Sequence, residues 1–92
     1  MVEYTIIFSK LADKDKKLLK QAGLDEKTMN ILDIISKNPY QTPPPYEKLR
    51  GELDGLISRR INIQHRLVYK VYEETKEIFI VRMWSHYDKV SY

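Results

Sequence analysis

In this 92-residue chain, Glu47, Arg59, Arg60, His65, Arg66, His86 and Tyr87 are the residues whose types could do chemistry. There is no cysteine, and the three glycines are too scattered for a phosphate-cradling loop. Two histidines without HExxH-like spacing make a poor metal site, and no nucleophile–base triad pattern is present. A carboxylate, a histidine and fixed guanidinium charge suit metal-free cleavage of RNA, where the 2′-hydroxyl is the nucleophile. That reaction needs a base for the hydroxyl proton, an acid for the departing 5′-oxygen, and positive charge on the phosphorane-like transition state. Composition alone leaves this as one assignment among many. Glu47 in a loop reads more often as a plain surface carboxylate, His65 inside a strand more often as a packed histidine, and Arg59 and Arg60 alternatively as partners in surface ion pairs.

Charge distribution narrows the options. The net charge is +3. Residues 1–46 hold seven Lys/Arg against six Asp/Glu, whereas residues 48–70 hold six against two. The excess therefore sits in "SRRINIQHRLVYKV", residues 58–71. A local basic patch is the electrostatic footprint of a polyanion binder, and a solvated strand face is the plain alternative. No apolar run approaches the roughly 20 residues that span a membrane. "MVEYTIIFSK" lacks the features of a signal peptide, and the absence of cysteine fits a reducing cytoplasm.

These residues must be positioned by local elements. Residues 2–8, "VEYTIIF", predict a strand, and Ser9 is placed to cap the helix that follows. In that helix Leu11, Leu18 and Ala22 share a face with Leu19 beside it. Lysines crowd the other side, and Gly23 suits a left-handed C-terminal cap. A second helix starts at Asp25, with Leu24 and Met29 spaced for a hydrophobic staple. Met29, Leu32 and Ile35, widened by Ile31 and Ile34, give its apolar face, and Asn38-Pro39 stops it. "NPYQTPPPYEK" carries all four prolines and predicts an extended connector draped over the core. Strands follow near 47–53, 57–64, 66–73 and 77–84, with turn signals at Asp54-Gly55 and Glu73–Lys76.

The order β-α-α-β-β-β-β predicts one α+β domain over residues 1–92: an N-terminal strand, a two-helix hairpin, then four mostly antiparallel strands. The helices cover one sheet face. Alternation along 57–64 puts Ile57, Ile61 and Ile63 on one side and Ser58, Arg60, Asn62 and Gln64 on the other. The second face is thus expected to be polar and basic.

"YEKLRGELDGLISRRINIQHRLVYKV", followed by "WSHYD", resembles the C-terminal half of YoeB/Txe-type toxins. These form a branch of the RelE superfamily of bacterial type II toxin–antitoxin systems, marked by an E-x-L, SRRI, HR-[LV]-V-Y and terminal HY pattern. The likeness runs from Glu47 to Asp88. It implies the microbial-ribonuclease-like RelE fold and an mRNA endonuclease acting in the ribosomal A site, without a cofactor. By position, the family's base falls on Glu47, its phosphate-binding arginine on Arg66, its acid on His86 and the adjacent aromatic on Tyr87. RNA contacts fall on Arg50, Arg59 and Arg60, with Trp84 available for base stacking. His65 keeps its structural reading. Ile57 stands where many relatives have Trp, and Gln64 where some carry an acid.

The resemblance also implies partners: mRNA, the ribosome, an acidic YefM/Axe-like antitoxin and a possible second copy of the chain, all in the cytoplasm. Two rivals remain. A ParE-like toxin would share the architecture without the acid–base set, and a non-catalytic RNA- or ribosome-binding module would use the same basic patch and Trp84.

Overall fold

A computed structural model describes residues 3–43, 45–49, 55–62 and 65–83. Strand β1 (Thr5–Phe8) leads into helices α1 (Lys10–Gln21) and α2 (Asp25–Lys37). Four strands follow: β2 (Tyr46–Lys48), β3 (Ile57–Arg60), β4 (Arg66–Tyr72) and β5 (Glu77–Arg82). They form one sheet in the order β1-β5-β4-β3-β2. β1 runs parallel to β5, and the other three pairings are antiparallel. The expected α+β fold holds.

The helix boundaries follow from caps. Ser9 Oγ accepts the Ala12 amide at 3.0 Å and donates to the Val81 carbonyl at 2.7 Å, so the residue that starts α1 also seats it on β5. Gly23 adopts φ +74, beyond the reach of most side chains. It lets the Gly23 and Leu24 amides return to the Lys20 and Leu19 carbonyls, the bonding pattern of a Schellman cap. The hairpin turn at Glu73–Lys76 also lies where its sequence signal placed it.

Packing on α1 differs from expectation. The buried stripe is Ala12, Asp15 and Leu19, while Leu11 is 43 % exposed and Leu18 and Ala22 also face outward. The stripe is rotated because Asp15, a charge, occupies its centre. On α2 the buried residues are Thr28, Ile31, Leu32 and Ile35; Met29 is 63 % exposed and makes no staple. These stripes close over Ile57, Ile61, Leu67, Tyr69, Ile78, Ile80 and Met83.

The far face of the sheet is less polar than expected. Leu49, Leu56, Val68 and Val81, with Phe79 against them, form a second apolar cluster there. The cleft-lining arginines of that face, Arg60 and Arg66, lie on β3 and β4. Among the described residues β2 covers Tyr46–Lys48, starting one residue before the predicted 47–53, of which 50–53 lie outside the described residues. The predicted strand 57–64 stops at Arg60. The predicted strand 77–84 gives β5 over Glu77–Arg82.

Candidate active site

Strand alternation sorts the candidate residues. Glu47 on β2 stands opposite Ser58 on β3, and Arg60 stands opposite Arg66 on β4. Directly opposed residues share a sheet face. Ser58 and Arg60, two apart on β3, share one as well. Glu47, Ser58, Arg60 and Arg66 therefore face the same way. With Pro45 and Tyr46 they line a cleft of about 310 Å³ on the side away from the helices. Glu47 and Arg60 are exposed and Arg66 is half-buried. The arrangement puts one carboxylate and two guanidinium groups around a solvent-accessible hollow. It can grip a phosphodiester and take a proton from an adjacent hydroxyl.

Alternation put Ser58 on the polar face with Arg60, but sequence reasoning did not count it among the site residues. It is 2 % exposed, its Oγ is buried, and that atom makes no hydrogen bond among the described residues. A small polar residue between Ile57 and Arg59 carries no catalytic signal by type. Its place opposite Glu47 joins it to the carboxylate within the cleft.

Arg59 requires a correction. Expected to contact RNA, it is fully buried on the helix side of the sheet. Its Nε donates to the Tyr69 hydroxyl at 2.9 Å, and Nη2 donates to the carbonyls of Pro39 at 3.0 Å and Gln41 at 2.8 Å. The Tyr69 hydroxyl donates in turn to the Pro39 carbonyl at 2.7 Å. That requires a neutral phenol. Burial pushes the Tyr69 phenol up, against the opposing pull of Arg59. The guanidinium also lies 5.0 Å from the ring centroid of Tyr46, its partner across β2–β3. Alternation already gave this answer, because Arg59 shares its side with Ile57 and Ile61.

His65 lies just outside β4, in the connection from β3, rather than within a strand. Its amide donates to Asn62 Oδ1 at 2.7 Å, and its carbonyl accepts the amides of Ile61 and Asn62. Its backbone closes the turn that brings Arg60 and Arg66 together. Arg50, Trp84, His86 and Tyr87 lie outside the described residues. Among the described residues no three His, Cys, Asp or Glu converge on a metal-sized site.

A second feature missing from the sequence reading anchors the end of β5. Asp15, 2 % exposed, accepts from Arg82 Nε at 2.9 Å, Arg82 Nη2 at 3.2 Å and the Met83 amide at 3.0 Å. Burying a lone carboxylate costs several kcal/mol, but a two-pronged arginine plus an amide offsets that cost. The acid holds α1 to the sheet at the point where the chain leaves β5. An Ala-Asp-Leu stripe at i, i+3, i+7 was the signal that could have found it.

The outer edge of the connector is held too. Tyr40 and Tyr4 donate to Glu73, at 3.1 Å and 2.9 Å, and Lys76 pairs with the same carboxylate at 3.1 Å. Hydrogen bonding from Tyr4, then from Lys76, holds the Glu73 carboxyl below its usual range. Burial, reinforced by Glu73, pushes the Tyr40 phenol up to about 12.

Comparison with known proteins gives the arrangement a family. A model described as "YoeB-like toxin of bacterial type II toxin-antitoxin system" matches residues 7–87. The chain is 35 % identical over 75 residues to the toxin YoeB of Synechocystis sp., covering 82 % of this chain and 78 % of that one. A chain from the YoeB–YefM complex of Staphylococcus aureus has a TM-score of 0.77 at 36 % identity, covering 91 % of this chain and 98 % of its own. The YoeB dimer of the same organism gives 0.76 at 34 %, covering 92 % and 99 %. The match spans the basic cleft and the helices behind it, and the chain belongs to the YoeB-like toxins of bacterial type II toxin–antitoxin systems.

Proposed function

We propose that this toxin is an mRNA endonuclease that cuts in the A site of the translating ribosome and so stops translation. The observation that carries the reading is the convergence of Glu47, Arg60 and Arg66 on one cleft. Glu47 takes the proton from the RNA 2′-hydroxyl. The 2′-oxygen then attacks phosphorus, and the P–O5′ bond breaks to leave a 2′,3′-cyclic phosphate. His86 protonates the departing 5′-oxygen, and Tyr87 flanks it. Arg66 grips the non-bridging oxygens, which a planar guanidinium matches in pairs. Arg50 and Arg60 hold flanking phosphates, and Trp84 stacks on a base. As written, the reaction needs no metal, because the RNA supplies its own nucleophile.

The test uses purified ribosomes programmed with mRNA. Cuts within the A-site codon, with cyclic-phosphate and 5′-hydroxyl ends and lost in Glu47→Gln, support the reading. Tight ribosome binding with intact mRNA would replace it with a non-catalytic binder.

The proposal includes a partner. The S. aureus relative is solved with YefM. A net charge of +3, concentrated around the cleft, suits an acidic and partly disordered antitoxin that folds onto it. Expression of the toxin alone should arrest bacterial growth, and co-expression of such an antitoxin should relieve the arrest. A YoeB of the same organism is solved as a dimer. Self-association of this chain in the cytoplasm is checked by sedimentation of the free toxin.

A further inference from the structure

Glu47 sits on a weak support. β2 is an edge strand of three described residues, paired among the described residues with β3 alone and fed by a proline-rich connector. So short a strand does not hold a side chain to the sub-ångström tolerance that proton transfer demands. The backbone beneath it must be braced from the layer behind the sheet. Arg59 is the one side chain whose described bonds tie connector, β2 and β4 together. It holds the Pro39 and Gln41 carbonyls, the Tyr46 ring beside Glu47, and the Tyr69 hydroxyl.

Burial makes this cluster costly to keep. A guanidinium out of water costs several kcal/mol, and it is offset only if its donors are met with good geometry. Core residues such as Ile57 and Ile61 on the same side could be joined there by an apolar residue at less cost. What an arginine supplies, and an apolar residue does not, is directional bonding to backbone carbonyls across a sequence gap of 18–20 residues. Rigidly bonded on one face of β3, it fixes the backbone whose opposite face carries Ser58 against Glu47.

We propose that Arg59, working with Tyr69 from the buried side of the sheet, is a positioning residue that holds Glu47 in reach of the 2′-hydroxyl. The inference rests on Glu47 acting as the base. Arg59 touches no substrate; it acts by fixing the connector and Tyr46, and through them β2.

The test is a double-mutant comparison in single-turnover cleavage on programmed ribosomes, at assay temperatures where melts show the variants folded. Arg59→Lys keeps the charge and loses the fork. It should lower the maximal rate by about 10- to 100-fold, the scale of an ångström-sized misplacement, with half-saturation unchanged. In a Glu47→Gln background the same change should cost less than about 3-fold, because there is no longer a base to misplace. Tyr69→Phe deletes one hydroxyl of the cluster and leaves the guanidinium in place. It should show the same background dependence at smaller amplitude, and it decides the matter where Arg59→Lys melts too low. Equal losses in both backgrounds would mean a general structural role and overturn the proposal, as would an unchanged rate. If Glu47→Gln itself cleaves normally, the base assignment falls and this inference with it. If Glu47→Gln is inactive but Arg59→Lys is not slowed, only the inference falls.

Discussion

Arg59 and Arg60 are neighbours in one motif, identical in type and opposite in fate. Arg59 lies fully buried among backbone carbonyls on the helix side; Arg60 stands exposed in the cleft. Strand alternation alone separates them. A motif such as SRRI therefore mixes two kinds of position, one bonded into the scaffold and one open to the cleft. Reading both arginines as RNA contacts ignored the alternation that had already placed Arg60.

If the cleft face carries chemistry and the buried face carries structure, the largest effects should divide that way. Glu47→Gln, Arg66→Ala and His86→Gln should each slow single-turnover cleavage by about 10²–10⁴-fold, roughly 3–5 kcal/mol of transition-state stabilisation. Their melting temperatures should stay near wild type. A Glu47 variant with normal cleavage would return that residue to an ordinary surface carboxylate.

The buried face should show the reverse. Arg59→Ala strips donors from Pro39 and Gln41 and from the Tyr69 hydroxyl, and it opens a cavity. The expected loss is about 3–5 kcal/mol of folding stability, measured by urea unfolding. For a domain of this size that is a large share of the total. Asp15→Asn, which keeps shape and loses charge, should cost less, about 1–3 kcal/mol, because Arg82 is only partly buried and regains water. A neutral Asp15→Asn would show that the Met83 amide, rather than the ion pair, is what the side chain serves.

Arg60→Ala completes the contrast. It should change stability by no more than about 0.5 kcal/mol. It should also reduce the salt dependence of binding to ribosome-bound RNA by roughly one unit of slope, the loss of one phosphate contact. An unchanged slope would take Arg60 out of the interface. A large stability loss would erase the distinction between the two arginines.

Legibility in the sequence tracked how local the determinant was. The α1 boundaries were readable because Ser9 and Gly23 act on backbone groups a few residues away. The Glu73–Lys76 turn was readable for the same reason. The α1 face was misread because its central residue is Asp15, whose partner Arg82 is 67 positions on. Nothing local announces a buried acid. The parallel pairing of β1 with β5 was equally out of reach, since it depends on contacts across nearly the whole chain. The cleft was legible in part: Glu47, Arg60 and Arg66 came from motif and alternation, whereas Ser58 has no chemical signature until register sets it opposite Glu47.

The smallest expected effect lies at the connector's outer edge, where exposed phenols replace the buried guanidinium. Tyr40 is raised from 10.0 to about 12, first by burial and then by its bond to Glu73. A raised phenol favours the neutral form in the folded state. Below pH ~10, where both folded and unfolded phenols are protonated, the raised value has no effect on the slope and stability stays on its plateau. Between about 10 and 12 the unfolded chain releases a proton that the folded one retains, so stability falls as pH rises through that window. Tyr40→Phe should flatten this part of the curve and leave stability at pH 7 nearly unchanged, because the exposed bond to Glu73 is worth little in water. Arg59→Lys, by contrast, should shift the whole curve down at every pH. The measurement is urea unfolding of wild type and both variants from pH 8 to 11.5. A Tyr40→Phe curve parallel to wild type would mean that the outer edge is held by packing alone. The buried arginine would then be the connector's principal polar anchor.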